Sequence, residues 1–321
     1  MKRILVTGAG GFIGHHLCKY LKEIEECYVI GVDIKEPLFE DTAADFFILH
    51  DLRQPYLYGA ELYDKLGKVD EIYHLAADMG GIGYITSKLA DIAINNSLIN
   101  INIFKYAKEV GARILFSSSA CVYCQSAQDR PNIRPLMECD AWPAMPEPGY
   151  GLEKLYAEEL LSYLFNDHHL SVRIARFHNV YGPLGEYDGG REKAPAALCR
   201  KIARAKPGGT IEVWGDGKQT RSFMYIDDCV EGIHRLMASD FVLPMNLGRD
   251  EMISINELVH MISLIADKPV GIINDLTKPE GVRGRNSDNS LCRGVLDWEP
   301  PTTLMTGLKP TYEWIMRQVS G

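Results

Sequence analysis

The sequence predicts an α/β protein, a doubly wound parallel sheet followed by a smaller C-terminal domain. Three observations carry this. A short apolar strand at the N-terminus runs straight into a glycine-rich turn and a helical pattern. Further apolar runs then alternate with helical patterns, the signature of parallel strands joined by crossover helices. The alternation loosens at Phe177-His178-Asn179-Val180-Tyr181-Gly182-Pro183. The expected division is therefore 1–176 for the first domain, with 224–248 returning to it, and 177–321 for the second.

With 321 residues, 46% hydrophobic and 24% charged, the chain can bury a large core in the manner of a soluble globular protein. A net charge of −9 provides no general basic field for nucleic acid, so an anionic ligand must be met by local Arg, Lys and backbone N–H groups. That favours a small phosphorylated ligand over a polymer. No apolar run is long enough to span a bilayer. Eight cysteines are scattered without a paired framework, and free thiols in a reducing cytosol are the simplest account, giving a cytoplasmic expectation. Cys121-x-x-Cys124 could mark zinc or a redox pair, but no second Cys/His pair with ligand spacing accompanies it, and no metal is expected.

The first strand is Arg3-Ile4-Leu5-Val6, and Gly8-Ala9-Gly10-Gly11-Phe12-Ile13-Gly14 follows, with Leu17, Tyr20 and Leu21 at helical spacing. Strand, glycine turn and helix start in that order form a phosphate-binding unit, because glycine admits a pyrophosphate and the helix N-terminus favours its charge. Tyr28-Val29-Ile30-Gly31-Val32 is the second strand and ends in Asp33, 19 residues after Gly14, where a carboxylate can hold adenosine ribose hydroxyls. An acid there points to NAD over NADP, since a 2′-phosphate would be repelled. The plainer alternative is that Asp33 opens a loop.

The third strand, Phe46 to Leu49, ends at His50-Asp51-Leu52, which puts Asp51 and Leu52 at the adenine end. The fourth, starting at Glu71, ends in Leu75-Ala76-Ala77, whose small residues permit close approach of a ligand, while His74 within it is a core residue. Gly80-Gly81-Ile82-Gly83 follows at the mouth, as a sugar-pocket backbone or a tight turn. A long helix is expected over Asn95 to Val110, then a fifth strand from Arg113 to Phe116 that delivers Ser117 to Cys121 to the ligand edge. A proline-rich loop separates this run from the next helix, which starts at Tyr150.

Tyr150 and Lys154 lie one turn apart on that helix, and a phenol beside an ammonium is easier to deprotonate. The spacing alone is weak, because Tyr84 and Lys88 repeat it; Ser119, 31 residues before Tyr150, separates the two, since no serine precedes Ser87. Tyr150 is thus the candidate acid/base. In the second half Arg221 is a candidate for a diphosphate, which guanidinium meets as a fork, and Gly281-Val282-Arg283-Gly284-Arg285 adds two more guanidiniums, or is simply a solvated basic turn.

The nucleotide motif, the Ser/Tyr/Lys set and the later arginine turns resemble the extended short-chain dehydrogenase/reductases that act on nucleotide sugars. The segments Leu75–Gly81, Ser118–Cys121, Tyr150–Lys154, Gly189–Ala197, Gln219–Phe223 and Glu280–Asp288 further resemble those of the GDP-mannose 3,5-epimerases, over nearly the whole chain. The resemblance implies a Rossmann domain holding NAD through Gly8, Gly11, Phe12, Ile13, Gly14, Asp33, Asp51, Leu52, Leu75, Ala76, Ala77, Tyr150 and Lys154. It implies oxidation of the sugar at C4 by Tyr150, Lys154 and Ser119, followed by proton exchange at C3 and C5 by Cys121 and Lys193. Read without the family, Cys121 would be a small buried residue. Gly80, Ser119, Ala120, Cys121, Asn179, Glu192, Lys193, Ala194, Lys201, Gln219, Arg221, Arg283 and Arg285 match substrate-binding segments.

The implied partner is GDP-mannose or a related GDP-hexose or GDP-heptose, with no nucleic acid or membrane, in a homodimer paired through the Asn95 and Leu155 helices. One departure lies near the site: Cys124-Gln125 stands where the plant enzymes are expected to carry proline. A 4,6-dehydratase would need an acid pair where Cys121-Val122-Tyr123 stands, a simple 4-epimerase would need neither Cys121 nor Lys193, and a non-catalytic NAD-binding scaffold would be free to lose Tyr150 or Lys154, which this chain retains.

Overall fold

The computed structural model describes residues 1–54 and 65–320. In its first half, β1 (Lys2–Thr7), α1 (Phe12–Ile24), β2 (Cys27–Asp33), β3 (Phe46–Leu49), β4 (Glu71–His74), α2 (Ile82–Ser87), α3 (Leu89–Val110), β5 (Arg113–Ser119), α4 (Tyr150–His168) and β6 (Val172–Phe177) follow one another. Then come β7 (Val180–Tyr181), α5 (Ala194–Arg204), β8 (Thr210–Trp214), β9 (Thr220–Ser222), β10 (Met224–Tyr225), α6 (Ile226–Ala238) and β11 (Pro244–Leu247). The C-terminal part holds β12 (Met252–Ser254), α7 (Ile255–Ile265), β13 (Gly271–Asp275), β14 (Gly284–Arg285), α8 (Ser290–Leu296) and α9 (Leu304–Ser320).

Seven strands form one parallel sheet in the order β11-β6-β5-β4-β1-β2-β3, so the fold class predicted from the alternating pattern is the one observed. The chain reverses direction across the sheet between β1 and β4, and ligands of such sheets sit at the strand ends above that switch point. One face is covered by α1 and α6 over Ile4, Val6, Leu17, Leu21, Val29 and Ile233, all fully buried. The other is covered by α3 and α4 over Leu5, Ile30, Ile72, Phe104, Ile114 and Leu161. Burial on both faces explains why these strands are continuous apolar runs without alternation.

A separate apolar core, including Cys199, Ile202, Leu258, Ile262, Leu308 and Ile315, lies among α5, α7 and α9. Beside it stand a three-stranded sheet, β12-β9-β14, and a two-stranded one, β13-β8. Ser254 and Glu257 start α7 with a reciprocal capping box.

Some boundaries differ from the sequence expectation. The helix expected from Asn95 begins at Leu89, and the fifth strand runs on to Ser119, because parallel β6 pairs residue for residue from Ile114 up to Ser119 opposite Phe177. Three serines with little strand propensity are held extended by that partner. The proline-rich loop contains short 3-10 turns at Ala120–Val122, Gln125–Gln128 and Glu138–Ala141.

Tyr150, Lys154 and Glu158 are spaced four apart on α4 and face the sheet, where Glu158 meets Arg176 of β6 in a two-pronged ion pair (3.0 and 2.6 Å). Both side chains are only 2% exposed. Replacing one partner would strand a buried charge, so Arg176→Met is expected to lower stability by about 3–5 kcal/mol, measured as a fall in the urea midpoint.

Candidate active site

A cleft of about 490 Å³ lies at the carboxyl edge of the sheet. Its lining runs from the glycine turn (Gly8, Gly11, Phe12, Ile13, Gly14) through Asp33, Asp51, Leu52, Leu75, Ala76, Ala77 and Gly80 to Ser119, Tyr150, Glu192 and Lys193. Residues drawn from both halves of the chain therefore meet at one opening.

At one end the turn is locked to β2. The Gly10 N–H donates to Asp33 Oδ2 (3.0 Å), and the Ile34 and Lys35 N–H groups donate to Oδ1 (2.7 and 3.3 Å). Burial pushes the Asp33 carboxyl up, and these three N–H groups oppose that. A Cβ added at Gly10 would lie 2.0 Å from the Lys35 carbonyl oxygen, so only glycine fits this close approach. Nearby, Asp51 is paired with Arg53, Nη2 to Oδ2 at 2.6 Å.

His74, buried, is held on both ring nitrogens by Thr7 Oγ1 (2.7 Å) and Asn100 Oδ1 (2.9 Å), and burial pushes it down to about 3. It is a core residue, neutral at physiological pH.

At the other end, α4 brings Tyr150 and Lys154 against the end of β5. The Lys154 ammonium is fully buried, sits 4.5 Å from the Phe116 ring centroid and 5.7 Å from that of Tyr150, and has no hydrogen-bond partner. Burial pushes Lys154 down, against the pull of Glu153 and Glu158. Burial also pushes the Tyr150 phenol well up, Cys121 and Glu153 add to it, and a hydrogen bond with Ser119 opposes it. An orphaned buried ammonium, a turn whose Gly8, Gly10 and Gly14 leave no room for a Cβ and an acid on the lining at Asp33 fit a dinucleotide lying along the cleft.

Cys121 lies just past Ser119, to whose Oγ its N–H donates (3.2 Å). Its thiol receives Arg285 Nη1 (3.4 Å), while Nη2 of the same guanidinium donates to Glu147 Oε1 (2.6 Å) and Nε donates to Gln128 Oε1 (2.7 Å). Burial pushes the Cys121 thiol up; Arg285 pulls it down and Glu147 pushes it further up. Lys193, just before α5, is pushed down by burial, with Cys121 and Cys229 acting the other way. Arg221 belongs to the same electrostatic group, facing Arg285, Glu147 and Cys121.

Other sequence candidates are engaged elsewhere. Arg283 is committed to Asp216 (3.0 Å from each carboxylate oxygen) and Glu280 (2.7 Å), so of the two late arginines it is Arg285 that reaches Cys121. Lys201 donates to the Glu212 carbonyl (2.8 Å), and Asn179, at a positive φ, donates to the Ser222 carbonyl (3.0 Å). The Gln219 side-chain amide donates to the Trp214 carbonyl (2.9 Å), and its side-chain Oε1 is buried without a partner. Glu192 accepts from Arg200 (2.8 Å) and from the Gly190 N–H (2.6 Å). Ala120 is buried in the turn after Ser119, and Ala194 opens α5.

Three participants escape the sequence reading. Glu147 and Gln128 sit in the proline-rich loop, where Pro146-Glu147-Pro148 just before Tyr150 is the visible signal of a stiff acidic segment. Arg191 stacks over Tyr84 (4.0 Å to the centroid) and donates to its hydroxyl (2.6 Å) at the mouth, while that hydroxyl donates to Asp78 (2.8 Å). Among the described residues no group of three or more His, Cys, Asp or Glu is arranged to hold a metal, and no helix is long and apolar enough to cross a membrane.

The chain is similar to known nucleotide-sugar epimerases in sequence and in fold. A GDP-mannose 3,5-epimerase of Arabidopsis thaliana is 47% identical over 321 residues, covering 99% of this chain and 83% of the relative. A UDP-glucose 4-epimerase structure from Thermotoga maritima superposes with a TM-score of 0.87 at 23% identity, over 99% of both chains, a likeness of fold. A Bacillus cereus UDP-glucuronic acid 4-epimerase, solved with UDP-glucuronic acid and NAD, gives 0.82 at 26% identity over 98% of this chain and 99% of that one. The description of the NAD dependent epimerase/dehydratase family matches residues 4–248, and the chain belongs to that family.

Proposed function

We propose that this chain is an NAD-dependent GDP-mannose 3,5-epimerase. The observation that carries the reading is that Ser119, Tyr150 and Lys193 line one cleft, with Lys154 buried behind the phenol and Cys121 interacting electrostatically with both Tyr150 and Lys193. The 47% identity to an enzyme of that name supports it over nearly the full chain. Bound NAD supplies a hydride acceptor, and later a hydride donor, at the sugar C4.

Tyr150 takes the C4 hydroxyl proton, and Ser119 orients that hydroxyl. Burial, with Cys121 and Glu153 beside it, holds the phenol protonated and the Ser119 hydrogen bond opposes it; the Lys154 ammonium, 5.7 Å from the ring centroid, is the positive charge suited to help Tyr150 ionise. Ketone formation at C4 acidifies the hydrogens on both neighbouring carbons, C3 and C5. Cys121 removes a proton from one face and Lys193 returns one to the other, and C4 is then reduced with Tyr150 giving its proton back. Reference values of about 8.5 for a thiol and 10.4 for an ammonium would leave this pair idle near neutrality. Burial moves Lys193 down toward the working range, as proton exchange requires.

The cofactor is held by residues 1–176 together with 224–248, and the nucleotide sugar by the remainder. The guanidinium of Arg221 is suited to the diphosphate, and the orphaned Gln219 Oε1 can accept a hydrogen bond from the nucleotide. Exposed Ile94, Leu98, Tyr156 and Tyr163 on the packed helices α3 and α4 support a homodimer through that face. Eight unpaired cysteines support a cytoplasmic setting.

Incubation with GDP-mannose in D₂O, followed by NMR of the products, is expected to place deuterium at C3 and at C5; label at neither carbon would overturn the reading. Tyr150→Phe should lower kcat about 100-fold or more, in line with loss of an acid/base group. Gly10→Ala should push the turn off Asp33 and reduce NAD affinity about tenfold, measured as NAD content after purification.

A further inference from the structure

Cys121 is met by two oppositely charged groups that are also bound to each other. Arg285 Nη1 reaches its sulfur at 3.4 Å, and Arg285 Nη2 holds Glu147 Oε1 at 2.6 Å. All three residues are buried, with 8% of Cys121, 8% of Glu147 and 6% of Arg285 exposed. The carboxylate is anchored from behind: its own N–H donates to the Cys121 carbonyl (3.1 Å), and prolines flank it on both sides. Gln128 fixes the guanidinium plane through Nε (2.7 Å) and is itself tied to the Tyr123 and Cys124 carbonyls (3.3 Å each).

From these contacts we infer that Glu147 is a positioning residue that governs the charge of Cys121: its carboxylate accepts the hydrogen bond of the thiol and offsets the pull of Arg285, so the sulfur rests as a thiol. A thiol beside one ionised carboxylate and one guanidinium carries no net charge, so the low-dielectric surroundings are not asked to absorb one. The other groups facing the thiol are the Ser119 hydroxyl from β5, the Tyr150 phenol from α4, the Lys193 ammonium before α5 and the Arg221 guanidinium from β9. None of them is an anion at neutral pH, which leaves Glu147 as the neighbour able to keep the sulfur protonated. Burial works against the Glu147 carboxylate, but Arg285 overcomes it and holds Glu147 below its ordinary range, so it rests ionised beside a thiol.

This inference rests on the reading of Cys121 as the proton-exchanging group, and its test reads the sulfur directly. The rate of Cys121 alkylation by iodoacetamide is followed against pH in the NAD-loaded protein, by mass spectrometry of the peptide, in a Cys124→Ser, Cys139→Ser background. With Glu147→Gln the anion is gone and Arg285 is left to the sulfur, so the inflection is expected to fall by about one to three pH units. The acid limb of kcat should fall with it. Glu147→Asp should keep the inflection near that of the parent. Arg285→Gln should move it up. An inflection that stays in place or rises in Glu147→Gln, in protein with the parent's NAD content and melting temperature, overturns the inference. If Glu147→Gln loses NAD or melts early, the Arg285→Gln result decides: a rise supports the trio, and no rise overturns it. A lowered inflection with an unmoved kcat profile keeps the trio and removes Cys121 from the reaction.

Discussion

The ion pair between Glu158 and Arg176 lies directly beneath Tyr150 and Lys154, and the placement of those side chains depends on it. Glu158 is two turns along α4 from Tyr150 and one from Lys154, so the rotation that lets it meet Arg176 also aims the other two at the sheet edge. The hydroxyl of Ser118 donates to the same carboxylate, which ties the end of β5 to the helix. Arg176 in turn reaches the Glu138 carbonyl (2.7 Å) and the Tyr123 hydroxyl (3.4 Å), fastening the loop that carries Cys121 and Glu147. One desolvated pair thereby sets strand, helix and loop in register. Such a pair adds little net stability over an apolar replacement of both partners, but it specifies one arrangement.

Above that foundation the site keeps charges apart. Lys154 is buried against rings without a hydrogen-bond acceptor, a costly state that a bound ribose can relieve. Cys121 has the opposite surroundings, with a cation and an anion both within reach. Two buried titratable groups on either side of Tyr150 thus have opposite electrostatic surroundings.

The second half of the chain contributes in short pieces. Arg285 comes from a two-residue strand, Arg221 from a three-residue one, and Lys193 from the residue that precedes a helix. The β9–β14 register sets Arg221 beside Arg285, and Arg283 is withdrawn into its bond with Asp216.

Much of this was legible from local pattern. Apolar runs buried on both faces, a glycine turn and an acid at the end of the second strand are features of consecutive residues, and their physics is local: close approach, helix N-terminus, strand burial. Tyr150 and Lys154 share a helix, so their proximity follows from the helical period. The extension of β5 to Ser119 was not legible, because serines gain their extended state from β6 across the sheet. Nor was the partner of Cys121, since Arg285 is 164 residues away in the chain and meets it only when β14 folds back over the loop. The sequence by itself determined the fold class, the cofactor cradle and the helix that carries the phenol; tertiary structure alone decided which arginine and which carboxylate surround the thiol, because charge pairing in a buried site is chosen by distances that no periodicity encodes.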